Sequence, residues 1–273
     1  MKYTVLTLFP EIVDAYFSSS IMAKAIKRGV IKYQLINIRD FAADKHKTCD
    51  DAPYGGGAGM LMLAEPLGKA LESAGVKKNE IKDQESEIKT CHSDYVHDPP
   101  RVIYLGPSGK PFTQELAKEL AAEQELILIC GRYEGIDQRI IDIYVDEEIS
   151  IGDYVLSSGE VAALAVIDAT YRLVDNVICA QSLDEESFSG GLLEYPQFTR
   201  PEIFDRIKVP EILLSGHHEQ IRLWRLEKRV EKTLQQRPDM IQRGRELGIF
   251  NSEVNSIIDR LSDQAGDIAR RER

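Results

Sequence analysis

Short apolar, β-branched runs recur along the chain at residues 2–8 (KYTVLTL), 33–38 (YQLINI), 101–105 (RVIYL) and 126–130 (LILIC). Segments of helical period, at 20–28, 65–74 and 113–122, separate several of them. Strands alternating with helices predict an α/β fold on a parallel sheet covered on both faces. Thr113 followed by Gln114 and Glu115 marks a helix start, and 159–174 (GEVAALAVIDATYRLV) reads as a long, largely buried helix. A first domain is therefore predicted over residues 1–178.

Residues 179–192 (CAQSLDEESFSGGL) are rich in Ser, Gly and acid, which suits a flexible interdomain linker. Beyond it, 193–273 is predicted to be a small all-helical domain. Thr199 and Glu202 in T-R-P-E fit a capping box with Pro in the first turn. Residues 219–236 continue as an amphipathic helix with an apolar stripe of Leu223, Leu226 and Val230. The stretch 75–100, polar and closed by two prolines, reads as a solvated insertion. No internal repeat is visible.

Composition supports a folded chain: 273 residues with 43% hydrophobic and 29% charged side chains can bury a full core. The opening residues Met1–Pro10 carry no basic flank leading into an apolar run, so neither a signal peptide nor a membrane span is expected. A cytoplasmic location follows. Cys49, Cys91, Cys130 and Cys179 show no C-x-x-C or zinc-type spacing and read as free thiols. The net charge of −11 argues against a protein that coats nucleic acid indiscriminately. Any contact with phosphate must be local.

The chemistry concentrates in glycine-bearing clusters. In PYGGGAG, residues 53–59, the glycines imply a sharp turn or close approach to a ligand. Taken alone this cluster is equally well a flexible turn. It does not fit G-x-G-x-x-G, and the Gly109-Lys110 pair has Tyr104 where a phosphate loop needs its first glycine. GRYEGID, residues 131–137, follows the run 126–130 directly, at the carboxyl end of a strand, where open α/β sheets hold ligands. IGDYVLSSGE, residues 151–160, places glycines and small residues just before a helix. Any one of these can be an idle turn, but three at strand ends point to one pocket.

These motifs carry a resemblance. With LFPE (8–11), DDAPYGGGAGM (50–60), YLGPSGK (104–110), CGRYEGID (130–137), IGDYVLSSGE (151–160), GLLEYPQFTRP (191–201) and SGHHEQIRLWRL (215–226), the chain resembles the bacterial tRNA guanine-N1 methyltransferases of the SPOUT class. The resemblance covers nearly the whole chain except 75–100 and the last two dozen residues. It implies a deep trefoil knot at the end of the first domain, which general fold rules disfavour. It also implies a homodimer with the active site at the subunit interface, tRNA as substrate, and S-adenosylmethionine bound in the knot loops. By motif, the cofactor residues are Tyr104, Leu105, Gly106, Gly131, Tyr133, Glu134, Gly135, Ser150, Ile151, Gly152, Asp153, Tyr154, Val155, Leu156, Ser158 and Gly159. Substrate contacts are expected from Asp50, Tyr54, Gly55, Gly56, Gly57 and Gly59. Two departures stand in the loop: the family's G-G-E is Ser158-Gly159-Glu160, and Ala162 replaces a proline.

The implied reaction methylates N1 of the guanosine at position 37, 3′ to the anticodon. Guanine N1 carries a proton at neutral pH, so the reaction needs a base and a cation for charge developing on O6. The resemblance supplies Arg172 as the cation and Glu186 as the base, where the family has Asp in Asp-Ser-Phe. Asp184 and Glu185 are neighbouring alternatives. Mg²⁺ assistance is also implied, although no dedicated ligand cage is evident in the sequence.

Residues 221–245 hold eight basic side chains against three acidic ones. Arg222, Arg225, Arg229 and Lys232 form one helical stripe that can track a phosphate backbone or serve as a solvated face. Lys45, His46 and Lys47 form a second, smaller patch. Two other readings remain: a SPOUT methyltransferase acting on different RNA, and an inactive RNA- or cofactor-binding homologue.

Overall fold

A computed structural model describes residues 1–79, 100–178 and 185–271, with side chains to residue 264. The bulk of the expected insertion, together with Asp184, Cys91 and Cys179, lies outside the described residues. The chain forms two compact units, Met1–Ile178 and Cys179–Arg273.

The first unit opens with β1 (Lys2–Thr7), α1 (Pro10–Phe17), α2 (Ser20–Lys27) and β2 (Lys32–Asn37). A short hairpin, β3 (Asp50–Asp51) with β4 (Leu61–Met62), and α3 (Ala64–Ser73) follow. Then come β5 (Arg101–Pro111), α4 (Gln114–Ala121), β6 (Glu125–Cys130), α5 (Gln138–Tyr144), β7 (Glu147–Ser150) and α6 (Gly159–Tyr171). Five strands make one sheet in the order β2-β1-β6-β5-β7, every neighbour parallel. The predicted α/β class is therefore what the chain adopts.

Parallel strands need both faces covered, which is why β6 is apolar at every position from Leu126 to Cys130. One face packs Val5, Ile103, Leu126 and Leu128 against α1, α4 and α6 through Phe17, Leu120, Val166 and Ile167. The other packs Leu6, Ile127 and Ile129 against Leu67, Leu71 and Ile140 of α3 and α5. Thr113 caps α4, its hydroxyl accepting from Leu116 N at 3.3 Å. The buried helix expected over 159–174 ends three residues early, at Tyr171. Cys49 and Cys130 are buried free thiols.

The second unit differs from the all-helical expectation. No helix starts at Thr199. Instead β8 (Ile203–Phe204) and β9 (Ile207–Lys208) form an antiparallel hairpin around Asp205 and Arg206, both at left-handed φ. β-branched and aromatic residues flanking a two-residue turn of that conformation favour a hairpin over the capping box. Helices α7 (His218–Gln236), α8 (Pro238–Glu246) and α9 (Ser252–Arg271) complete the unit. Val230, Ile241, Phe250, Val254 and Ile258 form its core, joined by Leu192. Leu223, expected in the apolar stripe, is instead exposed.

Residues 185–192, the described part of the expected linker, are tied into this unit. Phe188 N donates to Leu192 O at 2.9 Å, Glu194 N to the Ser187 hydroxyl at 3.1 Å, and Leu192 is buried.

Candidate functional site

Three loops leave the carboxyl ends of neighbouring strands in the first unit and meet. Leu105 and Lys110 of β5 both register against Ile149 of β7, so residues 106–109 bulge out of the sheet between them. The 131–137 loop leaves β6, and the 151–158 loop leaves β7. Together they enclose a cleft of about 280 Å³. Open parallel sheets hold their ligands at this end.

Gly159 explains how close the loops come. Its N–H donates to Gly131 O at 2.7 Å, and Ser158 bridges Arg132. A Cβ at Gly159 would lie 2.7 Å from Gly131 N and 2.8 Å from Cys130 Cα. A side chain there would push the start of α6 off the end of β6.

All the expected cofactor residues except Asp153 line this cleft. Motif reasoning missed Pro107, Arg132, Ile149, Ser157 and Ala162, which also line it. Most of these sit inside or beside the quoted motifs, so widening the motifs by a residue or two would have found them. Ala162 is reached because it stands one turn into α6 from Gly159.

The floor is Tyr104. Burial, then the neighbouring Glu148 carboxylate, pushes its phenol up to about 12. It therefore remains a neutral hydrogen-bonding group. Burial also raises the pKa of Glu148, with the nearby Ser108 N–H acting the other way.

The glycine-rich hairpin forms an adjoining wall. Glu134 N donates to Met60 O and Met62 N to Gly135 O, each at 3.0 Å. Gly59 has φ +91°, and a Cβ there would meet the Glu134 side chain at 2.3 Å. Tyr133, itself at φ +58°, has its phenol near Asp50, and burial first, then that acid, raise its pKa. The structure thus brings Asp50 and Gly59 to the rim. Tyr54 and Gly55 to Gly57 project into solvent. Arg132 lies over the ring of Phe9, its guanidinium carbon 4.5 Å from the centroid, which attaches the LFPE turn to the same rim.

Arg172 caps the carboxyl end of α6. Glu186 belongs to the second unit, in a turn closed by Ser189 N donating to Glu186 O at 3.0 Å. Its neighbour Glu185 pairs with Arg225 at 3.5 Å.

The basic stripe is engaged within its own unit. Arg222 pairs with Glu219 and Glu253, at 2.8 and 2.7 Å. Arg225 stacks over Tyr195 at 4.9 Å. Arg229 donates to Ser189 O at 2.8 Å and Leu193 O at 3.4 Å, and Lys232 to Glu194 O at 3.1 Å. Arg229 and Lys232 thus hold backbone carbonyls of residues 189–194, and Arg225 holds the side chains of Glu185 and Tyr195. In the smaller patch Lys47 pairs with Asp40 at 2.6 Å. Among the described residues no group of three His, Cys, Asp or Glu side chains converges as metal ligands would.

The family model for tRNA (Guanine-1)-methyltransferase TrmD matches residues 1–243. The chain belongs to this family. It is 56% identical over 264 residues to the tRNA (guanine-N(1)-)-methyltransferase of Treponema denticola, covering 97% of this chain and 100% of that one. The protein of the same name from Treponema pallidum is 53% identical over 96% of both chains. That from Borreliella burgdorferi is 56% identical over 88% of this chain and 92% of its own. The TrmD family match ends within α8 and takes in every cleft loop.

Proposed function

We propose that the protein methylates N1 of guanosine 37 in tRNA with S-adenosylmethionine, acting as a cytoplasmic homodimer through a trefoil-knotted SPOUT domain. The observation that carries this reading is the single cleft made by three loops at the carboxyl ends of β5, β6 and β7. Its volume falls at the lower edge of the range for small-molecule sites. No helix among the described residues is long and apolar enough to cross a membrane.

The residues present suit the cofactor. Leu105, Ile149 and Ala162 offer apolar wall, and the glycines at 106, 131 and 159 put no side chain in the way, so a ligand can approach the backbone closely. The sulfonium supplies an electrophilic methyl group when bound. Tyr104 and Gly106, with Gly152, Tyr154 and Leu156, are proposed to orient it, and Asp50, Tyr54 and the 55–59 glycines to receive the tRNA. The remaining chemistry belongs to two side chains. Glu186 takes the N1 proton through its carboxylate, and Arg172 holds the charge that develops on O6. A positioned base contributes typically about 10²–10⁴-fold.

Arg225 and Arg229 are proposed to serve the tRNA indirectly, by fixing the 185–195 segment that carries Glu186, and Arg222 to contact the tRNA from the same helix. Incubating the protein with unmodified tRNA and methyl-labelled cofactor, then mapping the labelled nucleoside, tests the whole reading. Label on N1 of guanosine 37 is expected. Label on another base or on ribose would overturn it.

A further inference from the structure

We infer that Lys24, Lys27 and Arg28, at the end of α2, line a binding site for phosphate groups of the tRNA backbone. The inference rests on the reading of the protein as a homodimer that methylates tRNA. Ile21, Lys24 and Arg28 follow one another at intervals of three and four residues, with Lys27 beside them, so the four side chains share one face of α2. The opposite face is buried through Met22 and Ala25. The basic face borders a cavity of about 490 Å³ whose lining is completed by Val177 and Ile178. No acid lines it.

All three cations are exposed, and among the described residues none of them has an ion pair or a side-chain hydrogen bond. In a chain of net charge −11 that placement needs a reason. Elsewhere the cations are answered from within: Arg101 lies among Glu119, Glu123 and Glu147, and Arg229 holds the backbone of its own unit. Like charges three and four residues apart repel along a helix. The dipole at the carboxyl end of α2 favours basic residues there, but it does not call for a hollow beside them that is free of acids. A phosphodiester chain meets both features. Its charge answers the accumulated Lys and Arg, and Ile21 and Val177 offer apolar surface to its sugars.

The position of the cavity suits the same ligand. α6 runs 13 residues from Gly159 at the cleft to Tyr171, a span of about 20 Å. Arg172, at the far end, therefore serves the cleft of the second copy in the proposed dimer, and a tRNA seated there passes the end of α6. Turns carry the chain on from Arg172, with Leu173 N donating to Thr170 O and Val177 N to Val174 O. Val177 is then buried in one cluster with Met22, Ala25 and Tyr171, which sets the basic hollow beside that end of the helix.

The test is tRNA affinity as a function of salt, measured on the full chain with Lys24→Gln, Lys27→Gln, Arg28→Gln and Lys118→Gln. Glutamine keeps the helix-forming tendency and loses the charge. Each cavity variant should weaken binding and lower the slope of log affinity against log salt by about one. The loss should appear in KM for tRNA rather than in kcat, with S-adenosylmethionine affinity unchanged. Lys118→Gln removes an exposed cation from α4 and should keep the parent's slope, which separates a phosphate contact from a change in net charge. Ile21→Glu sets an acid in the hollow and should weaken tRNA binding at least as much as the loss of one cation. Cavity variants that keep the parent's slope overturn the inference, as does a Lys118→Gln variant that flattens it equally. A parent protein that neither binds nor methylates tRNA instead defeats the reading on which the inference stands.

Discussion

The hydroxyl of Thr7, the last residue of β1, donates to the buried carboxylate of Glu160 in the first turn of α6. The same hydroxyl accepts from Phe9 N at 2.9 Å. One side chain thus joins the LFPE turn to the helix that opens at the edge of the cleft. A carboxylate in a helix's first turn is favoured by the backbone dipoles.

Thr7→Val removes this link while keeping shape. Glu160 Oε2 already has no hydrogen-bond partner among the described residues, so the substitution leaves the buried carboxyl without the Thr7 donor. The expected cost is about 1–3 kcal/mol, the usual penalty for stranding a buried acceptor. Urea unfolding at neutral pH measures it. Thr7→Ser should remain close to the parent, and equal stability of the Val variant would show that the link carries no weight.

Arg229 leads to a second prediction. Its guanidinium is half-buried, burial lowers its pKa, and it donates to two backbone carbonyls of the 189–193 stretch. Arg229→Met keeps the stem and deletes the donors. Stability should fall by roughly 1.5–3 kcal/mol, as for loss of a hydrogen bond to a charged group. Hydrogen exchange in residues 185–194 should rise, while the dependence of tRNA affinity on salt keeps its slope, because no phosphate contact is lost. A salt slope shallower by about one would instead assign Arg229 a phosphate.

Much of the first unit was legible because its signals are local. The runs at 2–8, 33–38, 101–105 and 126–130 became β1, β2, β5 and β6: the inner strands β1, β5 and β6 are covered on both faces and read as apolar runs, while β2 at the sheet edge alternates exposed and covered positions. The glycine-bearing ends of those strands marked the cleft for the same reason: backbone crowding at Gly159 is a property of sequence position in the fold. What stayed hidden depends on long-range partners. Nothing in the spacing of Thr7 and Glu160, or of Tyr16 and Asp168, announces that they meet. In the second unit, Arg225 and Arg229 look from sequence like a phosphate-binding stripe. Only the fold shows them turned onto Tyr195, Ser189 and Leu193.

Glu148 gives a prediction in pH. Burial raises its pKa above the ordinary 4.5. A raised carboxyl pKa means the folded state binds the proton more tightly than the unfolded chain. Stability from this group is therefore fully present below the unfolded pKa and is lost as pH rises through the folded one. Glu148→Gln has no charge to desolvate and keeps the size of the side chain. It should be more stable than the parent at neutral pH, with the gain shrinking to nothing as pH falls below 4.5. Thermal unfolding of both proteins across that range decides the matter. A gain that grew toward acid pH would reverse the sign and refute the assignment.

The last prediction concerns Glu186, proposed as the base. Its turn is set by Ser189 N on Glu186 O and by Phe188 N on Leu192 O, and Leu192 is anchored in the core of the second unit. The backbone that carries the carboxylate is thus fixed by packing, and the side chain's length decides its reach. Glu186→Gln keeps size and hydrogen bonding but cannot take the N1 proton, so single-turnover methylation should fall by about 10²–10⁴-fold with binding of tRNA and cofactor intact. Glu186→Asp shortens the reach by one methylene on a backbone adjusted to the longer residue. A base misplaced by about an ångström can cost on the order of 10²-fold, so partial activity is expected rather than a gain. Near-normal turnover in the Gln variant would move the base to Asp184 or Glu185. Of these, Glu185 is already paired with Arg225, and freeing it by Arg225→Gln in the Glu186→Gln background would then change the residual rate.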